Sequence, residues 1–319
     1  MMQAWVDLWN HEERPTAVAL VRIGVGAVLL FELLNVGRLG MVPILFSPES
    51  AGGLADPLGR NVVPWIWGVL PHTTDSAWLL WGGATLAAFL TMIGAGTRLA
   101  LVALMMLYAQ LAQTFPLADR AIDMLLRNAM LILVFSSCGR VWSVDARLRS
   151  GSWSGDGAAL PAWPRHLLVL QMAVVYSMAG VQKVGLTWWP MGDLSALYIV
   201  LQDPAVARFD PGPLEMFYPL TQLATAATMV FEWGALLLPL AFWYRATRDR
   251  PGRLRRWMNR LRFRDAWVAI GVALHLGIAV SMNLGVFPFG MLALYPAFFH
   301  PDELRALGAR FTKAGGASA

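Results

Sequence analysis

The sequence predicts an all-α integral membrane protein: a polytopic helical bundle of about eight transmembrane helices with both termini in the cytoplasm. Of the 319 residues, 57% are hydrophobic and 14% are charged, and the mean hydropathy is +0.53. A soluble domain of this size carries roughly 25% charged residues. The apolar residues also form eight long stretches, most of them close to the roughly 20 residues that cross a hydrocarbon core. The one cysteine, Cys138, excludes an internal disulfide and a thiolate-rich metal site, so no metal is expected.

The predicted elements follow the chain in order. Residues 1–15 place Trp5, Leu8 and Trp9 at helical spacing, which predicts a helix lying in the headgroup layer. One transmembrane domain covers residues 16–300, and residues 301–319, with Lys313, form a polar cytoplasmic tail. The eight apolar stretches, of which the last is short, are Thr16–Leu34, Ala77–Gly94, Leu99–Pro116, Ile122–Cys138, His166–Val184, Leu220–Tyr244, Ala266–Leu284 and Val286–His300.

The distribution of arginine predicts the orientation of the chain. The segment Tyr244–Asp265 holds nine arginines against two aspartates, and short basic loops stay in the cytoplasm. The basic pI therefore reflects topology in an inner or plasma membrane, and we expect the lipid bilayer as a partner and no nucleic acid. Counting helices from this loop places two long segments outside, Gly37–Ser76 and Gly185–Pro213, which carry tryptophans.

Ionisable residues inside membrane spans are costly and mark candidate functional sites. Each also has a structural explanation. Asp123 and Arg127 are four residues apart and are expected to pair with each other on one helix face. Arg22 is either a structural anchor or a side chain that reaches the interface. The ionisable residues within the predicted spans are Arg22, Glu32, Asp123, Arg127, Lys183, Glu232 and His275.

Glu232 and His275 have structural explanations as well. Glu232 lies near mid-depth and must be protonated or paired. His275 is more typical of a hydrogen-bonded packing residue than of a ligand or base. The topology adds that Glu32, Asp123, Arg127 and Lys183 fall at similar depth on the extracytoplasmic side, and we expect a bundle to bring them around one cavity.

Lys183 is singled out by its chemistry. Of the 25 basic residues, only Lys183 and Lys313 are lysine, and Lys183 ends a long apolar run. Arginine is always protonated, whereas a lysine can lose its proton when water is removed from around it. The position therefore favours either a free amine that acts in chemistry or a lysine whose ammonium reaches the outer interface.

Four segments, in order, resemble the vitamin K-dependent γ-glutamyl carboxylases and their bacterial relatives, the horizontally transferred transmembrane (HTTM) proteins. The resemblance runs from Arg14 to about His300. The segments are "RPTAVALVRIGVGAVLL", "GRVWSVDARL", "YSMAGVQKVGLTWWPMGD", and "EWGALLLP" with "HLGIAVSMNLGVFPFGMLALYPAFF".

The resemblance implies a function. In the carboxylases a lysine in this context deprotonates reduced vitamin K, and oxygen then yields a strong base that removes the γ-proton of a peptide glutamate. Carbon dioxide adds to the carbanion, and vitamin K epoxide is the coproduct. Lys183 would be that catalytic base, with reduced vitamin K (hydroquinone) or menaquinol, O2 and CO2 as co-substrates and a secreted or membrane peptide as partner. The candidate pocket residues are Glu32, Asp123, Arg127, Trp188, Trp189, Glu232 and His275.

Two other functions stay open. A non-catalytic membrane factor for the maturation or export of a secreted peptide fits the same family. A proton-coupled transporter is indicated only by the carboxylates Glu32, Asp123 and Glu232.

Overall fold

The computed structural model describes residues 2–55 and 64–306. Two parts of the sequence-based predictions lie outside the described residues: positions 56–63 of the outer segment Gly37–Ser76, and positions 307–319 of the tail, with Lys313. The side chain of Trp5 also lies outside this description. Among the described residues the backbone is mostly helical, as predicted.

Each apolar stretch forms helix, so the helical class is confirmed. The α-helices are α1 (Met2–Asn10), α2 (Thr16–Arg38), α3 (Met41–Phe46), α4 (Ile66–Val69), α5 (Thr74–Ile93), α6 (Thr97–Thr114), α7 (Ala121–Phe135), α8 (Val144–Ser150), α9 (Trp163–Gln182), α10 (Ala196–Val200), α11 (Tyr218–Gly234), α12 (Leu238–Ala246), α13 (Arg253–Arg260), α14 (Phe263–Ser281) and α15 (Phe287–Leu294). Residues 301–306 are also helical. Short 3₁₀ helices span Glu49–Ala51, Pro116–Ala118, Leu186–Trp188, Pro190–Gly192, Gly212–Phe217, Ala235–Leu237 and Tyr295–Phe298.

Within the described residues, four helical segments are long and apolar enough to cross a membrane. They are Thr16–Arg38, Thr74–Ile93, Gly212–Ala246 and Phe263–Ser281, and Phe287–Phe298 is a shorter apolar helix. Large apolar side chains on these segments are exposed, among them Leu79, Leu223, Val230 and Val280. Such a surface is stable against lipid tails, so the protein is membrane-embedded. The count of eight spans and the position of the termini stay predictions.

The chain forms two compact units. Of the described residues, the amino-terminal unit contains those within 12–164 and 299–306, and the carboxy-terminal unit contains residues 165–298 and 2–11. In the amino-terminal unit, α2 packs on α5 and α7, and α6 packs on α5 and α7. Its two strands, β1 (Glu12–Glu13) and β2 (Leu160–Pro161), pair antiparallel. In the carboxy-terminal unit, α14 packs on α11, α12 and α15, and α1 packs on α12. The predicted boundaries at residues 15 and 300 stay predictions.

Arg22 anchors the centre of the amino-terminal unit. Its side chain is fully buried, and its guanidinium donates to the carbonyls of Thr91 (2.7 Å) and Met92 (3.0 Å) in the last turn of α5 and of Trp142 (2.6 Å). The last carbonyls of a helix lack partners within it and carry partial negative charge, so a buried cation stabilises them. Gly94 leaves the space for this side chain, because a β-carbon there would lie 2.4 Å from Nη1 of Arg22. The anchor explanation of Arg22 is confirmed.

The segment "GRVWSVDARL" caps a neighbouring helix. Asp145 accepts hydrogen bonds from the amides of Gly96 and Thr97 (2.8 Å each) and from the Thr97 hydroxyl (2.7 Å), at the start of α6. Partial burial alone would raise the pKa of Asp145, but the hydrogen bonds from Thr97 and Gly96 outweigh it and hold that pKa below its usual value. A carboxylate at a helix amino terminus satisfies amides that have no partner within the helix. The segment therefore has a structural role.

We expect Asp145→Ala to lower the free energy of unfolding by about 1 kcal/mol, the usual contribution of a helix cap. Because the folded-state pKa is lowered, the contribution is present above pH ~4 and is lost as the pH falls below that value. Thermal unfolding of purified protein in detergent at neutral and acidic pH measures both effects. Asp156→Ala is the control, since Asp156 forms a surface pair with Arg140. Equal loss in both variants would contradict the capping role.

Candidate functional site

Lys183 lies immediately after α9 and forms an ion pair with Glu232 of α11. The distance from Nζ to Oε1 of Glu232 is 2.6 Å, and the two side chains are 19% and 10% exposed. Nζ also donates to the carbonyl of Ala179 at 3.3 Å, in the last turn of α9. A cation at a helix carboxyl terminus is favourable because the last carbonyls carry partial negative charge. The requirement that Glu232 be protonated or paired is met by this pairing.

Glu232 lies just before an interruption in its helix. After α11 the backbone forms a 3₁₀ turn over Ala235–Leu237 and then resumes as α12. Pro239, near the start of α12, has no amide hydrogen and cannot continue the α-helical hydrogen bonds across this point. The indole of Trp267 donates to the carbonyl of Phe231 at 2.9 Å, which satisfies a backbone group at the interruption. A 3₁₀ turn within a long helix is typical of functional positions.

Gly180 allows α9 and α11 to approach each other closely. A β-carbon at Gly180 would lie 3.1 Å from Cβ of Glu232 and 3.5 Å from the indole of Trp233. Small residues permit such contacts between membrane helices. The glycine three residues before Lys183 thus brings the lysine and the glutamate within hydrogen-bond distance.

Two adjacent tryptophans complete the surroundings of Lys183. The ring centroid of Trp188 lies 5.0 Å from Nζ, within the range of a cation–π contact. The indole of Trp189 donates to the carbonyl of Lys183 at 3.2 Å. The turn after α9 is therefore folded back onto the lysine, and one face of Nζ is covered by an aromatic ring.

One oxygen of Glu232 has no hydrogen-bond partner among the described residues. Oε2 is buried, whereas Oε1 bonds Lys183. An unsatisfied buried acceptor costs roughly 1–3 kcal/mol, and a ligand with an acidic hydroxyl would remove that cost. The residues fit a hydroquinone in this respect: Oε2 is an acceptor for its hydroxyl, Lys183 places an amine beside it, and Trp188 offers a planar apolar face.

A buried hydrogen-bond network lies in the same unit. The hydroxyl of Tyr176 on α9 is 2.6 Å from Nε2 of His275 on α14 and 2.8 Å from the hydroxyl of Tyr295. All three side chains are buried. Nδ1 of His275 has no partner among the described residues. The packing explanation of His275 agrees with this network, which ties three elements together.

The amino-terminal unit holds a second cluster of charges. Arg120 donates to Oε1 of Glu32 on α2 (2.8 Å) and to Oδ2 of Asp123 (2.9 Å), and the hydroxyl of Tyr108 donates to Oδ1 of Asp123 (2.7 Å). Asp123 also accepts from the Arg120 amide at 2.9 Å, as a residue in the first helical turn does. These contacts satisfy the carboxylate of Asp123, so the cluster holds α2, α6 and α7 together.

The predicted pairing of Asp123 with Arg127 is wrong. Arg127 instead forms two hydrogen bonds to the carboxylate of Asp119, at 2.9 and 2.7 Å. Side chains on a helix point toward its amino terminus, so Arg127 reaches Asp119, two residues before α7. Asp123 turns back in the same direction and meets Arg120.

A family model, the HTTM domain, matches residues 10–302. The chain belongs to the HTTM family. No solved structure matches this HTTM protein.

In the structure of the HTTM protein, some predicted site residues contact Lys183, and others belong to different hydrogen-bond clusters. Trp188, Trp189 and Glu232 surround Lys183, and His275 belongs to the Tyr176 network. Glu32 and Asp123 share Arg120. The expected cavity that also includes Lys183 stays a prediction.

Five members of these clusters were not predicted from the sequence: Tyr108, Asp119, Arg120, Tyr176 and Tyr295. Tyr176 could have been found, because it lies seven residues before Lys183 and therefore on the same face of α9. Arg120 and Asp119 precede the predicted fourth span, so the cost of a charge inside a span does not single them out. Within the described residues, no group of three His, Cys, Asp or Glu side chains is placed to hold a metal ion.

Proposed function

We propose that this HTTM protein is a vitamin K-dependent γ-carboxylase-like enzyme that oxidises a reduced quinone at Lys183 and Glu232. The observation that carries the proposal is the 2.6 Å contact between Nζ and Oε1 beside the buried, unpartnered Oε2. The substrate glutamate would belong to a secreted or membrane peptide. Reduced vitamin K or menaquinol, when bound, supplies an oxidisable hydroquinone, with O2 and CO2 as co-substrates.

The pair can act as a base without a net charge. Moving the shared proton from Nζ of Lys183 to Oε1 of Glu232 gives a neutral amine beside a neutral carboxylic acid. Low polarity favours the neutral forms of buried groups. The amine is then able to accept a proton from an acidic hydroxyl held near Oε2, while the carboxylic acid keeps the amine in place. Lysine and glutamate would thus position the hydroxyl and receive its proton.

A non-catalytic role is the second candidate. The ion pair also holds α9 and α11 together, and the charges of the amino-terminal cluster are satisfied by one another. A membrane factor that assists the maturation or export of a secreted peptide needs this scaffold and no proton acceptor.

Turnover by purified protein distinguishes the two candidates. The protein is incubated with reduced vitamin K or menaquinol, oxygen, labelled bicarbonate and a glutamate-containing peptide, and epoxide formation and carbon dioxide fixation are measured separately. We expect epoxide to form in the wild type. Absence of epoxide with either quinol, together with full biological function of Lys183→Arg, would contradict the enzymatic proposal and favour the membrane factor.

The proposal includes eight spans and cytoplasmic termini in the inner or plasma membrane. The support is the arginine-rich segment Tyr244–Asp265, which joins two apolar helices. A topology reporter inserted in this segment is expected to report the cytoplasm, and one inserted within residues 185–213 the opposite side. Both reporters on one side of the membrane would contradict this topology and the outward placement of Lys183.

A further inference from the structure

The arginine-rich helix α13 is held at a membrane surface. It connects α12, which ends the apolar segment Gly212–Ala246, to α14, which begins the apolar segment Phe263–Ser281. It packs against both helices, and the side-chain amide of Asn259 donates to the carbonyl of Tyr244 at 3.0 Å. Because the two segments that it joins are each able to cross the membrane, their connection lies at the headgroup layer.

One edge of α13 is apolar and exposed. Leu254 and Trp257 of α13 and Leu261, the residue directly after it, are 51%, 56% and 52% exposed. Trp257 and Leu261 follow Leu254 by three and seven residues, which places all three on one side of the helix. Met258, between them on the same side, is buried against the protein. The helix therefore rests on the protein through Met258 and presents three large apolar side chains outward. A tryptophan in this position is typical of the membrane interface.

The arginines beside this edge differ in what they contact. The guanidinium of Arg255 donates to the carbonyl of Pro251 (2.6 Å) and lies 5.0 Å from the ring centroid of Tyr244. Arg253, Arg256 and Arg260 are exposed, and no carboxylate of the described residues lies within salt-bridge distance of them. Guanidinium groups bind phosphate through paired hydrogen bonds.

We infer that α13 is a binding surface for anionic phospholipid: Leu254, Trp257 and Leu261 enter the headgroup layer while Arg253, Arg256 and Arg260 bind lipid phosphates. Anionic phospholipid is the ligand that matches this surface in charge, because three exposed arginines border an apolar edge at the level where acidic headgroups lie. The inference is independent of the chemistry proposed at Lys183.

Lipid selectivity of the full-length protein tests the inference. Purified protein in mixed micelles is titrated with phosphatidylglycerol and phosphatidylcholine of the same acyl chains, and native mass spectrometry gives the Kd of each. We expect tighter binding of phosphatidylglycerol. Arg256→Gln should weaken that binding about fivefold, the effect of one arginine near an anionic surface, and the triple variant Arg253→Gln, Arg256→Gln, Arg260→Gln by roughly 100-fold. Phosphatidylcholine binding should weaken much less, because its choline group balances the charge of its phosphate.

Arg255→Gln is the matched control, since it removes the same charge from the same helix but from a guanidinium already engaged by the protein. It should leave the selectivity nearly unchanged. Equal binding of the two lipids by the wild type, or a preference retained in the triple variant, would overturn the inference. The wild type could also show no lipid selectivity and form a dimer that Leu254→Gln dissociates. This edge would then bind a second copy of the chain, and the inference would be overturned as well.

Discussion

Lys183→Arg is expected to lower quinol-dependent epoxide formation by about 10²- to 10⁴-fold, the usual contribution of a positioned general base. Arginine keeps the positive charge and the ion pair with Glu232, but it cannot release its proton at accessible pH. The loss should therefore appear in turnover while expression and thermal stability are retained. Epoxide formation by purified wild-type and variant protein under identical conditions is the measurement.

Two further variants define the cause of that loss. Glu232→Gln retains a hydrogen-bond acceptor at the position but cannot hold the shared proton, and we expect turnover to fall as well. Arg208→Lys is the control for exchanging one basic residue for another in the same unit, because the Arg208 guanidinium donates to a backbone carbonyl, that of Met282 at 2.7 Å, and not to a carboxylate of the described residues. Wild-type turnover in Lys183→Arg would show that the lysine serves only as an ion-pair partner.

Arg22→Met should destabilise the protein by about 3–5 kcal/mol. The substitution keeps a long side chain but removes the guanidinium that donates to the carbonyls of Thr91, Met92 and Trp142. The Thr91 carbonyl keeps the Gly94 amide at 3.2 Å as a donor, and each buried acceptor left unsatisfied costs about 1–3 kcal/mol. Thermal unfolding in detergent should show the midpoint falling by roughly 10 °C.

Arg38→Met is the matched control on the same helix. Arg38 is exposed, and its guanidinium donates to the side chain of Asn35 at 2.9 Å, so its loss should change the midpoint little. An Arg22→Met protein as stable as the wild type would contradict the anchoring role and would require water to reach these carbonyls.

Composition and patterning predicted the helical membrane class because hydrophobic burial in lipid depends on the number and order of apolar residues, which the sequence states directly. The same reasoning required Glu232 to be protonated or paired and left Arg22 as either an anchor or a side chain that reaches the interface, since an unpaired charge in an apolar region is costly whatever the fold. The structure supplies those partners: three carbonyls for Arg22 and Lys183 for Glu232.

The identity of the partners was less predictable. Sequence spacing paired Asp123 with Arg127, but both side chains extend toward the amino terminus of α7, where Arg120 and Asp119 meet them. A spacing of four residues brings two side chains near each other, while the competing partners just before the helix depend on the path of the preceding loop.

The sequence by itself determined that Lys183 is chemically distinct from the arginines and ends an apolar helix. Only the tertiary structure placed Glu232 at 2.6 Å from it, because that contact joins residues 49 positions apart and requires the close approach of α9 and α11 at Gly180. Helix formation depends on neighbouring residues along the chain, and the depth of a helix in the membrane depends on its hydropathy, so the local sequence determines both. Which helix faces which depends on the packing of many side chains at once, and that packing decides which buried charges meet.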